Sequence, residues 1–159
     1  MNILTIRNMQ IDTMMMLRST CLTLLLTLAA CAETESDITI NYAWARATAP
    51  GQKVAAAYMD LASKKGAALV KAECNLAGSV EIHSMIMEND VMKMRMLEEL
   101  DIPAGKTVSL EPGGYHLMLF NLKQPMDAGK EAKFTLHFRT RTGEEKSMTL
   151  TLPIKTSAH

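Results

Sequence analysis

The chain has no excess charge of either sign. From Cys31 onward, fifteen Lys and Arg stand against sixteen Asp and Glu with no basic stripe, so a nucleic-acid partner has no electrostatic support. Cysteine is sparse: Cys21 and Cys31 lie near the start, and Cys74 stands alone in the rest, where it reads as a small buried hydrophobe. The longest apolar run, Cys21 to Leu28, falls far below the ~20 residues that span a bilayer, which excludes a permanent transmembrane helix. Also missing are a G-x-S-x-G elbow, an H-E-x-x-H pair, a phosphate loop and a C-x-x-C redox pair, so catalysis is not expected. Past the first thirty residues no apolar 3.6 period is sustained, and a major helix is excluded with it.

What the chain has instead is methionine. Five fall between residues 85 and 96, at or near every second position, a density that core packing does not require. In a strand, residues i and i+2 share a face. His83, Met85 and Met87 therefore share one face, and Met92, Met94 and Met96 share one face of the next run. Glu88-Asn89-Asp90 is polar and rich in turn formers, which makes the two runs the arms of a hairpin. With Asn89-Asp90 as a two-residue loop, Glu88 faces Val91, and Met87/Met92, Met85/Met94 and His83/Met96 become cross-strand pairs on one side. A slip of one residue would break that match. His116 and Met118 form a further i, i+2 pair after the turn Pro112-Gly113-Gly114.

The donor types select the metal. Thioether sulfur is a soft, neutral ligand that favours Cu(I), and imidazole suits copper, zinc and nickel. A His/Met set without carboxylate or thiolate argues against zinc, calcium and magnesium. Methionine also survives where thiols are lost to disulfides, as in exported compartments.

The spacing His83, ten residues, Met94, twenty-one residues, His116, one residue, Met118 resembles the copper motif of the PCu(A)C family of periplasmic copper chaperones. Tyr42 to Gly51 and Ala55 to Tyr58 resemble that family's opening. Val80 to His83, Ile102 to Gly105 and Gly113 to Met118 resemble its centre. The resemblance runs from about Ile38 to Pro153. It implies a Greek-key, cupredoxin-like β-sandwich that holds Cu(I) through His83, Met94, His116 and Met118. It further implies a role in supplying the binuclear copper centre of cytochrome c oxidase, with a Sco-type thioredoxin-like partner and the oxidase copper subunit on the receiving side. Relatives often carry a His/Met-rich tail linked to Cu(II). Here the chain ends Lys155-Thr156-Ser157-Ala158-His159, so a second, Cu(II) site is not expected unless the extra hairpin methionines and His159 replace it.

The first thirty residues read as a leader. Arg18 precedes the apolar run, which closes on Ala29-Ala30-Cys31-Ala32, the layout of a secretory signal; Met14, Met15 and Met16 are alternative starts. Leu28-Ala29-Ala30-Cys31 resembles a bacterial lipobox, in which Cys31 is acylated. The rival reading, less favoured, is ordinary cleavage after Ala32, since Ala30-Cys31-Ala32 fits the A-x-A pattern; it would release a soluble periplasmic protein. In the lipoprotein reading two or three acyl chains give stable anchoring, and the membrane is met only through them. Ala32 in place of aspartate after the cysteine resembles an outer-membrane address. With Cys31 acylated, Cys74 has no disulfide partner.

The expected organisation is a signal peptide with lipobox at residues 1–31, a polar tether at 32–37, a monomeric copper-binding domain at 38–154 and a tail at 155–159. Alternating runs begin at Ile38, Val54, Ala68, Val80, Val91, Thr107, Tyr115, Ala132 and Glu145, with Gly- and Pro-rich punctuation between them. Nine short runs of this kind predict an all-β sandwich. Met59, Met126 and Met148 read as core fillers, and His137 and His159 as solvated or satisfied. Tyr42, Trp44 and Tyr58 are expected to pack the sandwich. Arg46 is either a surface residue or the partner of a carboxylate such as Glu81. Met85, Met87, Met92 and Met96 are an apolar collar, a secondary transient metal site or hairpin packing, in that order. Two other functions fit less well. An electron-transfer cupredoxin needs a cysteine thiolate after its first histidine, where none occurs. A structural lipoprotein would use its methionines for packing alone.

Overall fold

The computed structural model describes residues 37–88 and 90–156, and the leader, Cys31, most of the tether, Asn89 and His159 lie outside them. Among the described residues every element is a strand: β1 Ile38–Arg46, β2 Val54–Ser63, β3 Ala67–Cys74, β4 Ser79–Glu88, β5 Val91–Leu97, β6 Leu100–Ile102, β7 Thr107–Leu110, β8 His116–Phe120, β9 Glu131–Thr140 and β10 Glu145–Lys155. No helix there is long and apolar enough to cross a membrane. The nine expected runs all fold as strands. β6 was not foreseen, because three residues are too few to display an alternation. β8 is shorter than its apolar run: Asn121 takes a left-handed φ of 53° just past its end, and Tyr115 pairs only through an isolated bridge to Leu110.

The strands hydrogen-bond in the order β5-β4-β8-β2-β1-β10-β9-β3-β6, with β7 paired to the far half of β2. Most neighbours are antiparallel, and β1 and β10 run parallel through Ala45↔Ile154 and Arg46↔Lys155. Non-sequential neighbours such as β4-β8-β2 make the crossovers of a Greek-key sandwich. One apolar cluster lies between its layers. β9 shows how the sequence directs this: Ala132, Phe134, Leu136 and Phe138 alternate with exposed or half-buried residues and are all buried. Met59 and Met126 are fully buried, Met148 packs at the edge of the cluster, and Cys74 is a free, buried thiol, as expected.

A bulge in β1 decides which side chains reach the outer face. Its pairing with β2 shifts between Asn41 and Trp44, and Tyr42 sits there with a left-handed φ of 51°. Ile38 and Ile40 face the core before the bulge, and Ala43 and Ala45 face it afterwards. The extra residue reverses the parity of the strand. Tyr42 is consequently 84% exposed rather than packed, which corrects the expectation for that residue. Trp44 and Tyr58 are buried, but outside the central cluster, against each other at a centroid distance of 4.7 Å.

Candidate metal centre

The same alternation that fills the core leaves its opposite set on the outer face of β4, β8 and β2. In β8, Leu117 and Leu119 point inward and are fully buried, so His116 and Met118 point outward. In β4, Ile82 joins the core and His83 takes the outer side. The register then aligns these outward residues: His83 pairs with His116, Glu81 with Met118, and Met118 with Ala56 of β2. The β4–β5 hairpin has the expected register, with Glu88↔Val91, Met87↔Met92, Met85↔Met94 and His83↔Met96. Asp90 supplies the left-handed φ of 60° that the tight turn needs.

Both imidazoles are buried and both are oriented by an oxygen. His116 Nδ1 lies 3.0 Å from the carbonyl of Gly114. A carbonyl only accepts, so Nδ1 carries the proton and Nε2 keeps its lone pair. His83 Nε2 lies 2.8 Å from Glu81 Oε2, and the carboxylate accepts its proton in the same way. That leaves His83 Nδ1 as the lone-pair nitrogen, and it is buried without a hydrogen-bond partner. A buried acceptor left bare costs about 1–3 kcal/mol unless something binds it. An imidazole whose other nitrogen donates to a carboxylate or carbonyl is the usual form of a metal-binding histidine.

The Gly114 carbonyl has a second role, because it also accepts the backbone N–H of Met85 at 3.1 Å. The turn thus ties β8 to the Met-bearing strand. Gly113 holds that turn with φ +88°.

Met85, Met94, His116 and Met118 line one open cleft of about 310 Å³, together with Arg46, Val54, Ala56 and Tyr58. The structure therefore brings three of the four expected ligands, Met94, His116 and Met118, around a single hollow. His83 is not on its wall; its ring packs beside it, with centroids 5.9 Å from His116 and 6.1 Å from Phe120. Met87 and Met92 stand further out on the hairpin and Met96 sits nearer its base opposite His83, each at least 46% exposed, while Met85 is half-buried.

Of the two roles left open for it, Arg46 takes the first, a surface residue, and no carboxylate pairs with it among the described residues. It is exposed, and its guanidinium lies over both rings of the Trp44–Tyr58 pair, 5.9 and 5.3 Å from their centroids. Burial pushes the Tyr58 phenol up, against the pull of Arg46, so the hydroxyl stays protonated at neutral pH. The sequence offered no signal for this stack. Glu81 was equally missed as the partner of His83, although its position two residues before the histidine already placed both on one face.

The donor set is selective. Among the described residues no three His, Cys, Asp or Glu side chains converge as a metal-ion cluster, and the soft donors lining the cleft with His116 are the thioethers of Met85, Met94 and Met118. The thiolate of an electron-transfer centre is absent from it: Cys74 ends β3, pairs with Phe134 of β9 and has its thiol pKa raised by burial.

Comparison with known proteins supplies a context for this geometry. A model of the LpqE-like family, described as lipoproteins, matches residues 38–154. A "putative lipoprotein" of Leifsonia xyli subsp. xyli is 32% identical over 102 residues, 64% of this chain and 61% of that one. The chain spans about three-fifths of the length of the curated relatives it matches. Among solved structures, the Cu(I) form of DR1885 from Deinococcus radiodurans superposes with a TM-score of 0.58 at 30% identity, over 82% of this chain and 86% of that one. The copper-bound PCuAC domain from PmoF2 shares the fold, with a TM-score of 0.61 at 22% identity over 77% and 95% of the two chains.

Proposed function

We propose, from the premise that this chain belongs to the LpqE-like family and has the PCuAC fold, that it is an extracytoplasmic Cu(I) carrier. His83, Met94, His116 and Met118 are the proposed ligands. The observation that carries the reading is the pair of buried imidazoles, each with one nitrogen tied to oxygen and His83 Nδ1 left as a bare buried acceptor, beside thioethers. Neutral soft donors favour the singly charged cuprous ion over harder divalent ions. The Cu(I)-bound relative at 30% identity supports the same choice of metal.

Copper is cargo here, and the work of the chain is to bind and release it. Met94 is 47% exposed and Met118 half-buried, so an incoming partner's donors can reach the metal from the open side. His116 and His83 lie deeper and leave last. Exchange of one ligand at a time, with the copper never free, needs this gradient from exposed sulfur to buried nitrogen.

Delivery towards the binuclear copper centre of cytochrome c oxidase, through a Sco-type partner, is the finer reading, and it comes from the family likeness. Acylation of Cys31 would anchor the domain to a membrane, which the lipoprotein description of the family supports; the periplasmic face of the outer membrane is the finer reading, from Ala32 after the cysteine. The test is transfer. The Cu(I)-loaded chain is mixed anaerobically with the apo copper-binding domain of an oxidase subunit, with and without a Sco-type protein, and copper is measured after separation. Movement of Cu(I) to either acceptor supports the carrier reading; a loaded chain that keeps its copper against both refutes it.

A further inference from the structure

The outer hairpin carries more sulfur than one copper site uses. Met87 and Met92 form a directly opposed cross-strand pair at the tip, 63% and 46% exposed, and Met85 follows on the same face two residues inward. Rungs two residues apart are separated by roughly 6.5 Å along the strand, and diagonal neighbours lie within reach of long side chains. β5 is an edge strand, paired only with β4, and none of its methionines enters the core.

The charges at the outer end of the hairpin are sorted to its other face. Glu88 receives both Lys93 and Arg95 at 3.0 Å, and these three alternate with the methionines along their strands. At the two outer rungs, Met87/Met92 and Met85/Met94, the methionine face thus presents neither a carboxylate for a hard cation nor an ammonium to repel one; Glu81 lies on the same face further in, engaged by His83. Solvent-exposed methionine gains nothing from burial, so core packing does not account for these residues.

Resting on the carrier reading above, we propose that Met87, Met92 and Met85 form a second, all-thioether Cu(I) site at the hairpin tip. It is weaker than the His/Met site, because it has no buried imidazole, and it passes copper inward along the rungs. Met85 is shared: its partner Met94 lines the cleft with it, so an ion held at the tip has a sulfur neighbour at every step towards His116. The class of ligand is a soft monovalent d¹⁰ ion, and Ag(I) serves as its redox-inert probe.

The test is a titration of the full chain with Ag(I), followed through the methionine methyl groups by ¹³C NMR, on the parent, on Met87→Leu/Met92→Leu and on His116→Ala. Leucine preserves apolar volume and removes only the sulfur. The expected result is that a second equivalent shifts the Met87 and Met92 methyls in the parent, while the leucine variant takes up the first equivalent alone. In His116→Ala the tip methyls should still shift, which separates this site from the inner one. Saturation at one equivalent in the parent, or an unchanged second equivalent in the leucine variant, overturns the proposal. A docking role for the same face would survive the leucine change and so falls among the contradicting results.

Discussion

Replacing Glu81 by alanine tests whether a residue that never touches copper sets the affinity for it. The Glu81 carboxylate holds the Nε2 proton of His83 at 2.8 Å and leaves Nδ1 bare and buried. Without that acceptor the proton is free to sit on Nδ1, which blocks the nitrogen proposed to bind. Loss of such an outer partner costs about 10–100-fold in metal affinity, and each factor of ten is about 1.4 kcal/mol. Glu81→Gln keeps an acceptor but loses the charge. Since charge-assisted bonds are about twice as strong as neutral ones, it should forfeit roughly half as much. The Glu81 side chain is 38% exposed, so stability should move little in either variant.

The assay has two parts. Anaerobic competition with a colorimetric Cu(I) chelator gives the affinity, and long-range ¹H–¹⁵N correlation of the His83 ring gives the tautomer. Parent protein should show a protonated Nε2 and a bare Nδ1, and Glu81→Ala should lose that preference together with copper affinity. Unchanged affinity in Glu81→Ala would refute the positioning role, and so would weakened binding with the tautomer intact.

Other residues separate fold from site. Phe134→Ala removes a fully buried ring from the centre of β9 and should cost about 3–5 kcal/mol, read as a lower denaturation midpoint. His116→Ala should lower that midpoint less than Phe134→Ala and abolish tight Cu(I) binding, because its buried side chain lies outside the central apolar cluster. Burial raises the Cys74 thiol pKa, so alkylation near neutral pH should be slow in the folded chain and fast in denaturant; equal rates would contradict its burial. Gly113→Ala places a side chain at φ +88° with nothing within 4 Å of it, so its cost is purely conformational. About 1–2 kcal/mol is expected, measured by denaturation.

The period of two explains why so much was visible beforehand. In His116-Leu117-Met118-Leu119 one alternation writes both the core and the site, and in the hairpin the turn at Asp90 fixes the register that joins Met85 to Met94. What escaped was whatever breaks or ignores that period. The bulge at Tyr42 reverses the parity of β1, so an aromatic expected inside stands in solvent, and Trp44 and Arg46 turn to the outer face. The stack of Arg46 on Trp44 and Tyr58 joins two strands whose register no local pattern declares. The Gly114 carbonyl has no side chain to advertise it, yet it orients His116 and anchors Met85. His83 faces His116 across the β4–β8 pair as the alternation requires, but the Glu81 carboxylate that holds it there was not foreseen.

The most direct test is an anaerobic Cu(I) titration of the chain against a colorimetric chelator, with His83→Ala and His116→Ala alongside. The parent should take the first equivalent of Cu(I) from the chelator, and each variant should leave it there. A parent that takes none, or variants that bind as it does, would mean that this face of imidazoles and thioethers is not a copper site.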